Sequence, residues 1–162
     1  MRTFELPIRK KNRLHEYDYS LPNAYFITIC TYNRENFFWD NSAVEEAADS
    51  HLSAYGKIVY ECIRNIPKHY PMISVDNFVV MPNHVHLLLC IHTDTCGRPM
   101  AAPTISTVIN QTKGSISKQI GFSVWQKGFH DHIIRGRGDY KNIWDYIENN
   151  PLRWEEDTLY TP

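Results

Sequence analysis

The chain has no apolar run of the roughly 20 residues that a membrane-spanning helix needs. Its first residues are charged and include no apolar leader segment, so no secretory signal is expected and the chain reads as cytoplasmic. Cysteine is scarce. Cys30, Cys62, Cys90 and Cys96 form no CxxC pair and lack a zinc-finger partner spacing, which leaves free thiols in a reducing compartment. No internal repeat or low-complexity tract is visible. An excess of positive charge is also missing, with Lys+Arg 17 against Asp+Glu 18 and a formal net charge of −1. A uniformly basic nucleic-acid binder is therefore excluded, although a local basic surface is not.

A hydrophobic share of 43% over 162 residues is enough for one ordinary domain. The charges are unevenly placed. Arg9, Lys10, Lys11 and Arg13 cluster near the start, Arg135 and Arg137 flank Gly136, and acids gather at Glu45, Glu46 and Asp49 and at Glu155, Glu156 and Asp157. Residues 1–22 read as a basic arm ending at Pro22, residues 23–154 as a single catalytic domain and residues 155–162 as a short tail.

Ala24 to Thr31 is β-branched and aromatic and reads as a strand. Asn33 to Ser42 reads as a loop, with Phe37, Phe38 and Trp39 open to stacking on unpaired bases but better read as packing beneath the loop or at a dimer interface. Leu52, Tyr55, Val59, Cys62, Ile63 and Ile66 recur at helical spacing within Ser42 to Ile66, and Pro67 is expected to end that helix. Ile73 to Met81 and His84 to Ile91 read as strands joined through Pro82-Asn83. Pro103 suits the first position of a helix that runs on from Thr104 to Ile120. Phe122 to Ile134 contains a strand, and Asp139 is expected to cap a last helix reaching Asn149. The order β-α-β-β-α-β-α predicts an α+β fold: a ferredoxin-like or RRM-like βαββαβ antiparallel sheet followed by a C-terminal helix.

Chemistry centres on His84 and His86. Residues i and i+2 of a strand point to one side, so these imidazoles project together, suited to one metal ion, while Val85, Leu87 and Leu89 face the core. The same pattern also fits two strand histidines without a ligand. On the last helix Tyr140, Ile143, Trp144 and Ile147 form an apolar stripe. Tyr146 lies off it and shares a side with Asn150. A phenol can attack phosphorus and store a broken DNA bond as an ester. Its ordinary pKa of about 10 makes it weak at neutral pH, and a divalent cation offsets that by polarising the phosphate.

Pro82-Asn83-His84-Val85-His86-Leu87-Leu88, with Tyr146-Ile147-Glu148-Asn149-Asn150-Pro151 downstream, resembles the HUH single-tyrosine transposases, in particular the REP-associated tyrosine transposase branch. Ala24-Tyr25-Phe26-Ile27-Thr28, Trp125-Gln126 and Asp131-His132-Ile133-Ile134-Arg135 extend the likeness over roughly residues 9 to 154. The resemblance implies His84 and His86 as ligands of Mg²⁺ or Mn²⁺, Tyr146 as nucleophile, and Asn150 at a third ligand position that is often Gln in related transposases. It implies action on single-stranded DNA, recognition of a foldback hairpin, a 5′-phosphotyrosine with a free 3′-hydroxyl, and a homodimer. Mn²⁺ is expected to serve better than Mg²⁺, because imidazole suits it.

Arg9, Lys10, Lys11, Arg13, Arg135 and Arg137 are candidate phosphate contacts, with His132 near the DNA. His130 and His132 make a rival metal pair, and Tyr140 a rival nucleophile. Lys113 and Lys118 read as helix-surface residues, with a DNA-facing role as the alternative. A replication initiator or conjugative relaxase would share the chemistry. A metal-dependent hydrolase would need carboxylate ligands, and none stands near His84 in sequence. The alternative from another class is a non-catalytic single-strand-binding module on an RRM-like sheet.

Overall fold

The computed structural model describes residues 24–40, 51–92 and 103–162. The arm with Arg9, Lys10, Lys11 and Arg13, and Cys96, lie outside the described residues. Four strands, β1 (Ala24–Cys30), β2 (Ile73–Val80), β3 (His84–Ile91) and β4 (His130–Ile133), form one antiparallel sheet in the order β2-β3-β1-β4. That order places β3 between β1 and β2, the split βαβ arrangement that the element sequence predicts. Among the described residues no helix is long and apolar enough to cross a membrane.

Helices α1 (Ala54–Arg64) and α3 (Ile105–Ile120) cover one face of the sheet, and the four-residue α2 (Ile66–His69) follows α1. Tyr25, Ile27 and Ile29 of β1 and Val85, Leu87 and Leu89 of β3 alternate into this core beside Val59, Ile63, Val108 and Ile109. The opposite face is covered by α4 (Arg137–Asn149), with a far smaller core of Leu88, Ile134, Ile143 and Ile147. Tyr140 and Trp144 pack at its edge.

Several boundaries move from their expected places, each for a local reason. The first helix begins at Ala54, because the Ser53 hydroxyl caps it by accepting the Gly56 N–H at 3.1 Å. Just before it, Leu52 bridges back to Trp39. Gly56 sits so close to the preceding loop that a Cβ there would come within 2.2 Å of the Phe38 carbonyl oxygen. The helix ends at Arg64 ahead of Pro67, which sits in the first turn of α2. Pro103 lies before the helix and not at its first position: Thr104 is the cap, its hydroxyl accepting from the Thr107 N–H. Gly121 at φ 100° closes α3 in the left-handed conformation. The last helix starts at Arg137, so Asp139 is a first-turn residue, and its carboxylate accepts the Arg135 N–H at 3.0 Å.

One irregularity matters later. β2 shifts register between Val75 and Asn77, leaving Asp76 as an extra residue opposite β3. Its carboxylate turns toward α4, accepting from Tyr140 Oη at 2.7 Å, Cys90 Sγ at 3.0 Å and Ser74 Oγ at 2.6 Å.

Candidate metal and nucleophile site

The site lies on the α4 face, at the end of the sheet where β3 starts. His84, His86 and Leu88 share that face because strand side chains alternate. Both histidines are buried, and their Nε2 atoms approach to 3.1 Å. Each Nδ1 is held from behind. Asn83 Oδ1 lies 2.8 Å from His84 Nδ1, and Thr28 Oγ1 lies 2.9 Å from His86 Nδ1 across the β1–β3 pair. An amide oxygen only accepts, so His84 carries its proton on Nδ1 and presents a bare Nε2. Thr28 can donate or accept. With Thr28 donating, His86 keeps its proton on Nε2 and bonds to His84. With Thr28 accepting, two lone pairs face one another and a cation between them becomes favourable.

Burial pushes both imidazoles down to about 3, helped by the Arg34 charge at His84 and by His84 itself at His86. Both are therefore neutral near pH 7, as metal ligation requires. Two imidazole nitrogens about 2.1 Å from one ion stand roughly 3.0–3.4 Å apart at right-angled to tetrahedral geometry. The observed 3.1 Å fits.

A third donor comes from a region that sequence reading passed over. Asp157 Oδ2 lies 3.6 Å from His84 Nε2, and its side chain is almost fully buried. The ligand atoms of His84, His86 and Asp157 all lie within 4.8 Å of one another. A carboxylate thus stands beside His84 after all, brought by chain reversal after α4. Residues 157–161 are tied to the corner before β3: Asn83 Nδ2 donates to the Leu159 carbonyl at 2.8 Å, and Asn36 Nδ2 to the Thr161 carbonyl at 3.2 Å. Trp154 adds its ring, 6.0 Å from that of His84.

Tyr146 is half exposed, its ring 5.3 Å from His86 and edge-on to Phe26 at 6.0 Å. Burial and the Asp157 charge raise its phenol, while a hydrogen bond from Asn150 pulls it back. Asn150 is buried at the C-cap of α4, and its Oδ1 has no hydrogen-bond partner among the described residues. A buried bare oxygen is costly unless something binds it, so the donor set suits a hard or borderline cation. A groove of about 380 Å³ opens beside Tyr146, lined by Asn149, Asn150, Arg153 and Asp157 among others.

Other expected residues lie elsewhere. Ile134 N–H bonds to the Ala24 carbonyl, so Arg135 and Arg137 sit at the start of β1, whereas His84 pairs with Cys30 at its end. Seven strand residues separate the two ends, roughly 20 Å. His132 is half exposed and bonds to Asp139 at 2.9 Å, and the His130–His132 pair lies on the edge strand, on the α4 face of the sheet, opposite Thr28 and Phe26. Tyr140 donates a hydrogen bond to Asp76, and burial together with that carboxylate drives its phenol above the ordinary tyrosine range. Lys113 is not a surface cation: its ammonium is half-buried and donates to the Gln126 and Gly128 carbonyls at 2.9 and 2.8 Å. Phe38 is fully buried and Trp39 donates to the Val80 carbonyl, so these loop aromatics pack.

No protein-family model matches the chain. An uncharacterized Haemophilus influenzae protein is 33% identical, over 94% of this chain and 93% of that one. A second protein of that organism, a putative REP-associated tyrosine transposase, is 22% identical over 84% of this chain and 74% of its own length. The Escherichia coli REP-associated tyrosine transposase is 31% identical over 49% of this chain and 45% of its own. A solved REP-associated tyrosine transposase bound to a REP hairpin superposes with a TM-score of 0.63 at 20% identity, covering 87% of this chain and 74% of that one.

Proposed function

We propose that this chain, which belongs to the REP-associated tyrosine transposase family, cleaves and rejoins single-stranded hairpin DNA through Tyr146. One observation carries the reading: the Tyr146 ring lies against His86, whose Nε2 is 3.1 Å from that of His84. His84 and His86 hold a divalent cation, Mn²⁺ or Mg²⁺, with Asp157 and Asn150 as oxygen donors. Bound there, it polarises the scissile phosphate and offsets the charge that develops on it.

Tyr146 gives up its proton and its oxygen bonds to phosphorus. The bond from phosphorus to the 3′ oxygen breaks, that oxygen takes a proton, and a 5′-phosphotyrosine with a free 3′-hydroxyl remains. The reverse reaction with another 3′-hydroxyl rejoins the strand. Asp157 now opposes ionisation of Tyr146, and charge neutralisation at that carboxylate removes the opposition. Asn83 and Thr28 hold the imidazoles in the tautomers that ligation needs. Arg135 and Arg137 lie at the far end of the sheet, where they meet DNA away from the cut, and His132 meets it from the edge strand opposite Phe26. The arm from Arg9 to Arg13 adds further phosphate contacts, and the active species is a homodimer.

The test mixes the full chain, Mn²⁺ and an end-labelled single-stranded hairpin, and resolves products on a denaturing gel. A covalent protein–DNA adduct is expected, lost with EDTA and lost in Tyr146→Phe. An adduct that persists in Tyr146→Phe overturns the nucleophile. Binding of the strand with no adduct under any metal favours the non-catalytic module instead.

A further inference from the structure

The corner between β1 and the loop that follows carries exposed groups that the strand-transfer reading has not used. Tyr32 is 59% exposed and has no ring partner among the described residues. Arg34 is exposed and makes no salt bridge among the described residues. Its backbone adjoins the histidine site through one side chain, since the Asn83 amide that bonds to the Arg34 carbonyl also holds His84 Nδ1 at 2.8 Å. Asn33 and Arg34 both hold positive φ, 51° and 56°, a conformation that costs energy in residues other than glycine. The strain is held by the residue that also orients His84: Asn83 Nδ2 donates to the Arg34 carbonyl at 3.3 Å, as Thr161 Oγ1 does at 3.3 Å.

The surface continues away from the site. The Tyr32 N–H bonds to the Val124 carbonyl, bringing the end of α3 alongside. There Phe122, 43% exposed, meets Phe37 and Tyr55, each with ring centroids 5.7 Å away. Lys118, in the last turn of α3, is exposed on the same end. Exposed aromatic rings between two cations that make no salt bridge among the described residues, on a surface joined to the buried histidines through Asn83, match a single polynucleotide strand. Bases stack on rings in a sequence-tolerant way, and phosphates meet the cations. A protein partner would not need the cation beside the histidines, and a duplex hides the base faces that the rings would engage.

We infer that Arg34, Tyr32 and the Phe122 patch form the track that leads single-stranded DNA into the His84–His86 site, with Arg34 contacting a phosphate next to the one that is cut. This rests on the strand-transfer reading for the identity of the strand, but is tested without chemistry. The probe is a fluorescein-labelled single strand in EDTA, titrated by anisotropy with the Tyr146→Phe chain across a salt series. Arg34→Ala should weaken binding about tenfold and reduce the salt slope by about 0.7, the loss of one phosphate contact on a single strand. Arg34→Lys should retain the slope. Tyr32→Ala and Phe122→Ala should each weaken binding at least fivefold with the slope unchanged, while Tyr32→Phe binds as the parent. A blunt duplex should be indifferent to all of them. The inference is overturned if the alanine variants bind the strand within twofold of the parent. It is equally overturned if Arg34→Ala loses affinity at constant slope, because the residue then acts through the fold. Absence of a covalent adduct with the unaltered chain would remove the strand-transfer reading and leave this measurement intact.

Discussion

The two faces of the sheet are held in different ways. One is sealed by α1 and α3 over a continuous core that includes fully buried Tyr25, Ile27, Leu87, Leu89, Ile105 and Ile109. The other is covered by α4 alone over Leu88, Ile134, Ile143 and Ile147, and there the polar work is concentrated: His84, His86, Thr28, Asp76 and Tyr146. The thick face supplies stability by burying apolar area. The thin face can place polar groups at depth because the rest of the domain has stabilised the sheet beneath them.

The comparison can be broken in four ways. On the thin face, His86→Ala should lower adduct formation by about a thousandfold, a loss expected when an interaction made only in the transition state disappears. It should also abolish Mn²⁺ binding seen by calorimetry, with little change in the urea midpoint. Retained Mn²⁺ affinity would move the metal elsewhere. On the thick face the balance reverses. Leu87→Ala should cost about 2–5 kcal/mol in urea unfolding, with adduct formation by the folded fraction unchanged. If Ile143→Ala, its counterpart under α4, costs as much stability and spares the adduct rate, the division of labour fails.

The third test uses pH. Both site histidines have folded pKa values near 3, below the ordinary 6.5. The unfolded chain therefore takes up protons first as pH falls. Stability is fully present above about 6.5 and drains away toward 3, by up to about 1.4 kcal/mol per pH unit for each histidine. Urea midpoints from pH 7 to 4 should show this slope, and a His84→Asn, His86→Asn double variant should flatten it. An unchanged slope would mean the imidazoles are not buried neutral. The smallest effect belongs to the tie between Asp76 and Tyr140. Tyr140→Phe should cost about 0.5–1.5 kcal/mol, one hydrogen bond, and should slow adduct formation more than it shifts the melt.

Much of this was legible in the chain. Period-two alternation put His84 and His86 on one side and Val85, Leu87 and Leu89 on the other, and the helical stripe put Ile143 and Ile147 inward. These signals are local, and the burial of both faces of β3 does not disturb them. Asp157 was not legible, because its partner His84 is far away in sequence and an acidic run after a helix looks like any solvated tail. The cation role of Arg34 was hidden for a similar reason. It is a lone charge outside the basic clusters, and its place beside Asn83 follows from a left-handed turn at Asn33 and Arg34 that the sequence does not announce. The helix starts moved because caps, not hydrophobic periodicity, decide where a helix begins.

The extra residue at Asp76 has a consequence in the arithmetic of insertions and deletions. Ile73 and Val75 precede it, Phe78 and Val80 follow, and all four pack toward the α1–α3 core although their numbers change from odd to even. The strand changes phase at one residue. Removing Asp76 alone would therefore leave Val75 opposite Leu89 and Asn77 opposite Leu88, with every core side chain on its proper side. A deletion that would scramble a regular strand should here yield a folded sheet whose α4 keeps its apolar contacts but loses its hydrogen-bonded tie to β2, separating the positioning of the Tyr146 helix from the making of the fold.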